Sequence, residues 1–224
     1  MKKLSAILAA LLLSAFGAGG ASAAQIDLAG WATYSDGAYT GHDLVPNQTI
    51  VSQSFSLTFT GAGSHTAIGF VDAEIDQDIN TWFNEFGAAT GSLASGQSWE
   101  IDEPGYVFGD IIANMKAGFL DNGNGVPANG PDDVSMALGW DFILGADQTA
   151  VVTFLLSSDV PTTDFYLSQT DPDSDATIYF SSRLVVRGCP PEGCNPIPEP
   201  GMAWLLAPAL MGLVWSRRKS IKRD

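Results

Sequence analysis

The segment 134-VSMALGWDF-142 decides the fold class of this chain, because its large apolar side chains recur at every second position. The apolar set is Val134, Met136, Leu138, Trp140 and Phe142, and it alternates with Ser135, Ala137, Gly139 and Asp141. Successive side chains of a β-strand point to opposite faces, so this spacing predicts a strand with one buried face. Trp140 falls on that face, and core packing is its predicted role.

The same two-residue period recurs on both sides of this segment. It is clearest at residues 55–59 and 71–76, and further strands are predicted at 30–34, 98–102, 111–120, 149–157, 165–169 and 176–187. Turn sequences such as Gly145-Ala146-Asp147 and Asp171-Pro172-Asp173 separate them. Short alternating strands with such turns predict an all-β body, an antiparallel β-sandwich or jelly roll.

Residues 76–90 depart from this period. Ile79, Trp82, Phe83 and Phe86 occur at helical intervals, which predicts a short helix or a connecting turn. No long helix is expected elsewhere before Gly201. The body is therefore predicted to consist almost entirely of strands and loops.

Two polar loops contain enough oxygen ligands to suggest calcium. Residues 121–133 form the longer one, with Asp121, Asn124, Asp132 and Asp133, and the other contains Asp171, Asp173 and Asp175. Calcium prefers several carboxylate and carbonyl oxygens on a bendable loop. The second loop fails as an EF-hand, because Ala176 replaces the required glycine and Ser182 replaces the bidentate glutamate. Hydrophilic turns that bind nothing are the alternative at both places.

A third acidic row alternates with the apolar residues of the strand at 71–76. It consists of Asp72, Glu74, Asp76 and Asp78. Because the neighbouring apolar positions face the core, this row is predicted to be a solvated strand face that discourages edge aggregation.

The charge of the body limits its partners. Seven of the 10 Lys and Arg, but only two of the 25 Asp and Glu, lie in the terminal segments, which leaves 23 acids against three bases in residues 24–197. Such a surface repels phosphate backbones, so nucleic acid is excluded as a partner. Divalent cations and neutral glycans remain compatible with it.

Motifs for catalysis are not found in the sequence. His42 and His65 are the only histidines, and neither belongs to a metal-binding or triad pattern. No catalytic residues are therefore assigned, and the protein is expected not to be an enzyme. A secreted hydrolase with two carboxylates is the less favoured alternative, because 23 acids give no way to single out a pair. Stacking of Trp31, Trp82 or Trp99 on sugar rings is a further alternative, a glycan-binding module.

The first 23 residues have the order of a secretory signal peptide. Lys2 and Lys3 precede an apolar run at 4–16, and Ala21 and Ala23 have the small side chains that signal peptidase requires. We expect a signal helix that is cleaved after Ala23. A retained anchor is the alternative, but the run is shorter than the roughly 20 residues that a span needs.

The other terminus has three elements in a fixed order. Pro198-Glu199-Pro200 precedes a nearly uncharged run at 201–216, which is followed by Arg217, Arg218 and Lys219. A helix over that run would be about 24 Å long, somewhat shorter than the hydrocarbon core. Basic residues stay on the cytoplasmic side, so this tail predicts a precursor anchored in the cytoplasmic membrane with its body outside.

Together these three elements resemble the PEP-CTERM sorting signal of Gram-negative bacteria. The resemblance covers residues 198–224. It implies that an exosortase-like transpeptidase recognises Pro198, Glu199 and Pro200, cleaves nearby, and delivers the protein to the cell surface or an exopolysaccharide matrix. An unprocessed C-terminal anchor is the alternative.

Cys189 and Cys194 are the only cysteines. Export places them in an oxidising compartment, and the intervening prolines and glycine can close a small loop, so a disulfide is predicted. The chain thus divides into a signal peptide (1–23), an acidic β domain (24–188), a Cys- and Pro-rich linker (189–197) and a sorting tail (198–224). The expected function is that of a noncatalytic surface or matrix protein.

Overall fold

The computed structural model describes residues 24–43, 52–77, 81–105 and 107–188. Several sequence predictions fall outside these residues, namely the signal and C-terminal helices with Ala21, Ala23, Asp78, Cys189, Cys194, Pro198, Glu199, Pro200, Arg217, Arg218 and Lys219. The predicted calcium residues all lie inside them.

Two five-stranded sheets, antiparallel at every strand pair, make up the described body. The first sheet has the spatial order β2 (Ala38–Asp43), β1 (Ile26–Ser35), β4 (Gly63–Ile75), β7 (Ser135–Leu144) and β6 (Gln97–Asp102). The second has the order β3 (Ser52–Thr60), β8 (Gln148–Ser157), β10 (Thr177–Gly188), β9 (Phe165–Thr170) and β5 (Phe86–Gly91). The all-β, antiparallel prediction is confirmed.

The main core lies between the two sheets. Met136, Leu138 and Trp140 of β7 are buried there, as the alternation in 134–142 predicts. From the second sheet, Phe154 stacks on Phe55 with ring centroids 5.0 Å apart. Gly69 of β4 faces this pair, and a Cβ at that position would come within 2.7 Å of the Phe154 ring. The glycine therefore lets the sheets approach closely.

A third layer covers the outer face of the first sheet. It contains helix α1 (Ile111–Ala117) and the loop that follows, and its residues Ile111, Met115 and Leu120 pack on Ile68, Phe70, Ala32 and Ala137. The strand predicted at 111–120 is therefore wrong. Ile111 and Met115 are buried four positions apart, which is a helical spacing, and Gly118 ends the helix with φ of +81°.

Burial overturns the prediction of a solvated acidic row on β4. Asp72 is 2 % exposed and Glu74 is 8 % exposed. Asp76, just beyond the strand, is buried as well, and its Oδ1 accepts a 2.6 Å hydrogen bond from the backbone N–H of Gln25. The acids face away from the inter-sheet core as predicted, but that side of the sheet is covered.

The segment at 76–90 contains a short 3₁₀ helix, Trp82–Asn84, in agreement with the sequence prediction. Strands β2 and β5 were not predicted. Their sequences, AYTGHD and FGAATG, lack a run of large alternating apolar residues, and each lies at one edge of its sheet.

Candidate functional site

Two groups of carboxylates lie on the covered face of the first sheet. We call Asp72, Glu74 and Asp133 the Glu74 cluster, and Glu100, Asp102 and Asp110 the Glu100 cluster. In each cluster, one carboxylate oxygen from every member lies within 4.8 Å of the others. Among the described residues, these are the two groups of acidic, histidine or cysteine side chains close enough to share a metal ion.

Strand register assembles the Glu74 cluster. Asp72 and Glu74 are two positions apart on β4, so their side chains share one face. Asp133 comes from the loop before β7, two residues ahead of Ser135, which pairs with Asp72. A fourth carboxylate lies next to this cluster, because Asp27 of β1 pairs directly with Glu74.

Burial and like charge dominate the electrostatics of this cluster. Desolvation, with the charges of Asp133 and Asp27, raises the pKa of Glu74 to about 7. Desolvation, with the charges of Asp132 and Glu103, raises the pKa of Asp133 to about 6. In the described part of the chain, no lysine or arginine forms an ion pair with Glu74 or Asp133.

Two oxygens at this place are buried and have no hydrogen-bond donor among the described residues. They are Oε2 of Glu74 and Oδ1 of Asp27. Buried polar atoms are normally hydrogen-bonded, so each of these oxygens requires a reason. Asp27 is 2 % exposed, and its other oxygen accepts a 2.8 Å bond from the Gln25 side chain.

The Glu100 cluster is hydrogen-bonded by the layer that covers it. Asn114 Nδ2 of α1 donates to Glu100 Oε1 at 2.9 Å, and the backbone N–H of Asp121 donates to Glu100 Oε2 at 3.3 Å. Asp102 Oδ2 accepts a 2.7 Å bond from the backbone N–H of Asp110. Desolvation raises the pKa of Glu100 to about 7 against these bonds, which lower it.

Glu85 is a third buried acid, and it connects the two sheets. Its Oε1 accepts a 3.0 Å bond from the backbone N–H of Ile75 in the first sheet, and its Oε2 accepts a bond from Gln169 Nε2 in the second. Gln169 also donates to the backbone carbonyl of Ala73. Desolvation raises the pKa of Glu85 to about 8 against the hydrogen bonds from Gln169 and Ile75, which lower it.

The long polar loop at 121–133 is present, and most of its predicted calcium ligands are engaged in hydrogen bonds with backbone groups. Asp121 Oδ1 accepts a bond from the backbone N–H of Gly123 at 2.7 Å. Asn124 Nδ2 donates to the Gly87 carbonyl at 2.8 Å, and its Oδ1 accepts from Val126. Asp132 Oδ1 accepts from the N–H of Asp133 at 2.9 Å. Asp133 is the predicted ligand of this loop whose carboxylate lies within 4.8 Å of carboxylates from β4, those of Asp72 and Glu74.

The second predicted calcium loop is organised as a turn. Asp171 is fully buried, its Oδ1 accepts from the N–H of Asp173, and its Oδ2 accepts from both the N–H and the hydroxyl of Ser174. Asp173 and Asp175 are exposed. These bonds are those of a side chain that stabilises a turn, and the three carboxylates do not converge.

Three tryptophans that were candidates for sugar stacking or core packing lie against the core. Trp31 packs near Phe55, and Trp99 near Phe165, with ring centroids 5.9 and 6.1 Å apart. Trp140 is 8 % exposed and donates its indole N–H to Ser182 Oγ at 2.9 Å, as expected for a core residue. The side chain of Trp82 lies outside the described residues.

Trp140 and Ser182 also border an open cleft of about 730 Å³. Leu93 of the loop between β5 and β6 and Gln97 at the start of β6 form one wall, and Phe165 and Arg183 contribute from the second sheet. The cleft is large enough for a small ligand. Its lining combines one tryptophan with amide and hydroxyl groups and one cation.

His65 has a structural explanation. Its Nδ1 lies 2.7 Å from Asp36 Oδ2 and its Nε2 lies 3.0 Å from the Gly61 carbonyl oxygen. The bond to Asp36 raises the pKa of the imidazole. The ring also packs beside Phe59 and Phe142, so His65 secures one end of the sandwich.

No family model, curated protein or solved structure matches this chain. Within the described ranges, no helix is long and apolar enough to cross a membrane.

Sequence reasoning missed Asp27, Asp72, Glu74 and Glu100 as a buried set. One signal was present in β4, where Ile68 and Phe70 have the same parity as Asp72 and Glu74. A strand with large apolar residues at both parities is covered on both faces, so the neighbouring acids are also candidates for burial.

Proposed function

We propose that this protein is an exported, noncatalytic component of the cell surface or of an exopolysaccharide matrix. The observation that carries the proposal is the pairing of a signal peptide at 1–23 with the ordered tail Pro198-Glu199-Pro200, apolar run and basic terminus. A lone Pro-Glu-Pro would mean little. Three ordered elements at one terminus, with an export signal at the other, favour a sorted precursor.

The proposed sequence of events uses four partners. Signal peptidase cleaves the N-terminal signal helix after Ala23, and the apolar helix over 201–216 holds the precursor in the cytoplasmic membrane. An exosortase-like transpeptidase then recognises Pro198, Glu199 and Pro200 and releases the body toward the surface. The fourth partner is the exopolysaccharide into which the body is delivered, and a disulfide between Cys189 and Cys194 stiffens the segment before the cut.

The described body is consistent with this role. Its hydrogen-bonded sheets and close-packed core suit a domain that must persist outside the cell. Both ring nitrogens of His65 are engaged, Nδ1 with Asp36 and Nε2 with the Gly61 carbonyl, so neither is free to act on a substrate. These features support a stable module rather than an enzyme.

The decisive experiment is the intact mass of the protein recovered from the surface fraction of its host. We expect loss of both ends, near Ala23 and near Pro198. A mass that retains the tail contradicts sorting by a transpeptidase and leaves a membrane-anchored protein.

A charge substitution tests the tail directly. Replacing Arg217, Arg218 and Lys219 by glutamine removes the positive charges that orient the apolar helix, so the protein should be mislocalised. The matched control replaces Arg183 and Arg187, which are body cations outside the tail. Unchanged surface display of the tail variant would overturn its assignment.

A glycan-binding module is a second candidate, favoured by the cleft beside Trp140. A neutral glycan suits it best, because the body repels anions. Leu93→Ala, in the cleft wall, should weaken binding of the host polysaccharide several-fold in calorimetry, whereas Val107→Ala, exposed elsewhere, should not. Equal binding by both variants and the wild type would remove the cleft from consideration.

A further inference from the structure

We propose that the Glu74 cluster, formed by Asp72, Glu74 and Asp133, is a binding site for a divalent cation, with Ca²⁺ as its occupant. The site lies on the covered face of the first sheet, at the junction of β4 and the loop before β7. This inference goes beyond export and sorting, and it stands whether or not the tail is processed.

The spacing of the three carboxylates fits one ion. One oxygen from each residue lies within 4.8 Å of the others. Oxygen ligands lie about 2.3–2.6 Å from a bound Ca²⁺, so two of them on the same ion are at most about 5 Å apart. Three carboxylates, each with two oxygens, can supply up to about six ligands, and water can complete the shell.

Glu74 provides independent support, because it is a buried carboxylate with an oxygen that no described residue hydrogen-bonds. The side chain is only 8 % exposed, and its Oε2 has no hydrogen-bond donor in the described part of the protein. A buried carboxylate without donors is strongly unfavourable unless it is protonated or faces a cation. The buried Oδ1 of the neighbouring Asp27 likewise lacks a hydrogen-bond donor among the described residues.

The lysine and arginine side chains of the described residues are placed elsewhere. The body has only Lys116, Arg183 and Arg187. Lys116 lies over the ring of Tyr39, with its Nζ 4.9 Å from the centroid, and the two arginines are on β10 of the other sheet. An external cation is therefore the available source of positive charge at Glu74.

The Glu100 cluster shows why carboxylate proximity alone is insufficient. It has the same number of acids at the same spacing, but Asn114 and the backbone of Asp121 donate to both oxygens of Glu100. Its carboxylates serve to attach α1 and the following loop to the sheet. We therefore assign no ion to that cluster.

The ligand set favours calcium over other metals. All three residues supply oxygen, whereas zinc and copper sites in proteins are built mainly from histidine and cysteine. Magnesium requires near-ideal octahedral geometry, while calcium accepts irregular shells and bidentate carboxylates. Asp133 is partly exposed, so an ion can reach the cluster from solvent.

The test titrates CaCl₂ into chelator-treated protein purified in the form that its host holds, by calorimetry and by thermal unfolding at pH 7.5. We expect saturable binding, and a rise in Tm of roughly 5 °C or more when calcium exceeds its Kd about 100-fold. Glu74→Gln and Asp133→Asn should each weaken binding at least 10-fold. Magnesium at equal concentration should give a smaller shift.

Glu100→Gln is the matched control. It removes the same charge from the same face of the sheet, and it should leave the calcium affinity within about threefold of the wild type. Absence of binding by the wild type at millimolar calcium would overturn the proposal, as would equal affinity in Glu74→Gln. If Glu74→Gln fails to fold, the partly exposed Asp133→Asn decides by the same criterion.

Discussion

The Glu74 and Glu100 clusters are alike in composition and position and differ in what surrounds them. Both lie on the covered face of one sheet, and burial raises the pKa of the central glutamate to about 7 in each. Glu100 receives two hydrogen bonds from the covering layer, whereas Glu74 faces further carboxylates. Desolvation is thus the main cause of the raised pKa in both clusters. The hydrogen-bond donors differ: Glu100 has them and is a structural carboxylate, whereas Glu74 lacks them and needs a ligand.

The origin of the difference is the segment that covers each cluster. Helix α1 brings Asn114 and the turn at Asp121 over Glu100, so amide groups face it. The loop before β7 brings Asp133 over Glu74, and β1 brings Asp27 beside it. Neutral donors stabilise a buried carboxylate, while like charges destabilise it.

The largest expected effect is a fall in stability as pH rises. Folding raises the pKa of Glu74, Glu85, Glu100 and Asp133 to between about 6 and 8. The folded protein therefore retains protons that the unfolded chain releases above about pH 4.5. Stabilisation is fully present below that pH and is lost through pH 8, by on the order of 10 kcal/mol in urea unfolding with chelator.

Glu74→Gln separates the contribution of one cluster from that total. This variant should lose roughly 2 kcal/mol less stability than the wild type between pH 4.5 and pH 8, because one group with a raised pKa is removed. Calcium should have a similar effect on the wild type, since a bound ion stabilises the ionised cluster. A stability that instead rises from pH 5 to pH 8 would contradict the burial of these acids.

The next effect tests the cover over Glu100. Met115 of α1 is fully buried against the sheet, so Met115→Ala should destabilise the protein by about 3 kcal/mol. Loosening α1 should also lower the pKa of Glu100 while leaving that of Glu74 unchanged, as measured by carboxyl-carbon NMR titration. Leu156→Ala, in the inter-sheet core, is the control. It should destabilise the protein by a similar amount and leave the pKa of Glu100 unchanged.

Matched amide substitutions compare the clusters most directly. Glu100→Gln places an amide N–H₂ against a donor, either Asn114 or the backbone of Asp121, and should cost about 1–2 kcal/mol in urea unfolding without calcium. Glu74→Gln loses no hydrogen bond to described residues and removes a buried charge, so it should be neutral or stabilising under the same conditions. Equal losses of stability in the two variants would contradict the difference in hydrogen bonding between the two clusters.

The smallest effect concerns the charges at the rim. Asp110 is exposed and contributes to the raised pKa of Glu100, so Asp110→Asn should lower that pKa slightly and leave stability nearly unchanged. Asp133→Asn should lower the pKa of Glu74 more, because Asp133 is partly buried and is the main charge acting on it. NMR titration of both glutamates measures the pair. A larger change in the pKa of Glu100 than in that of Glu74 would contradict this prediction.

Much of the β architecture was accessible from local pattern. The alternation in 134–142 identified both the strand and its buried face, including Trp140, because side-chain direction in a strand depends only on parity. The helix at Ile111–Ala117 was mistaken for a strand, since a seven-residue apolar segment is ambiguous between the two. The calcium loops were chosen by composition, which cannot separate Asp133 from its hydrogen-bonded neighbour Asp132.

The sequence by itself determined the all-β class, the strand faces that form the inter-sheet core, and the strongly acidic charge of the body, because each depends on parity or composition. Only the tertiary structure decided which acids are buried. Asp72 and Glu74 are 2 % and 8 % exposed although they face away from the inter-sheet core, and Asp133, from the loop before β7 some 60 residues later in the chain, lies against them. Burial of an outer strand face depends on such nonlocal contacts, and no local pattern encodes them.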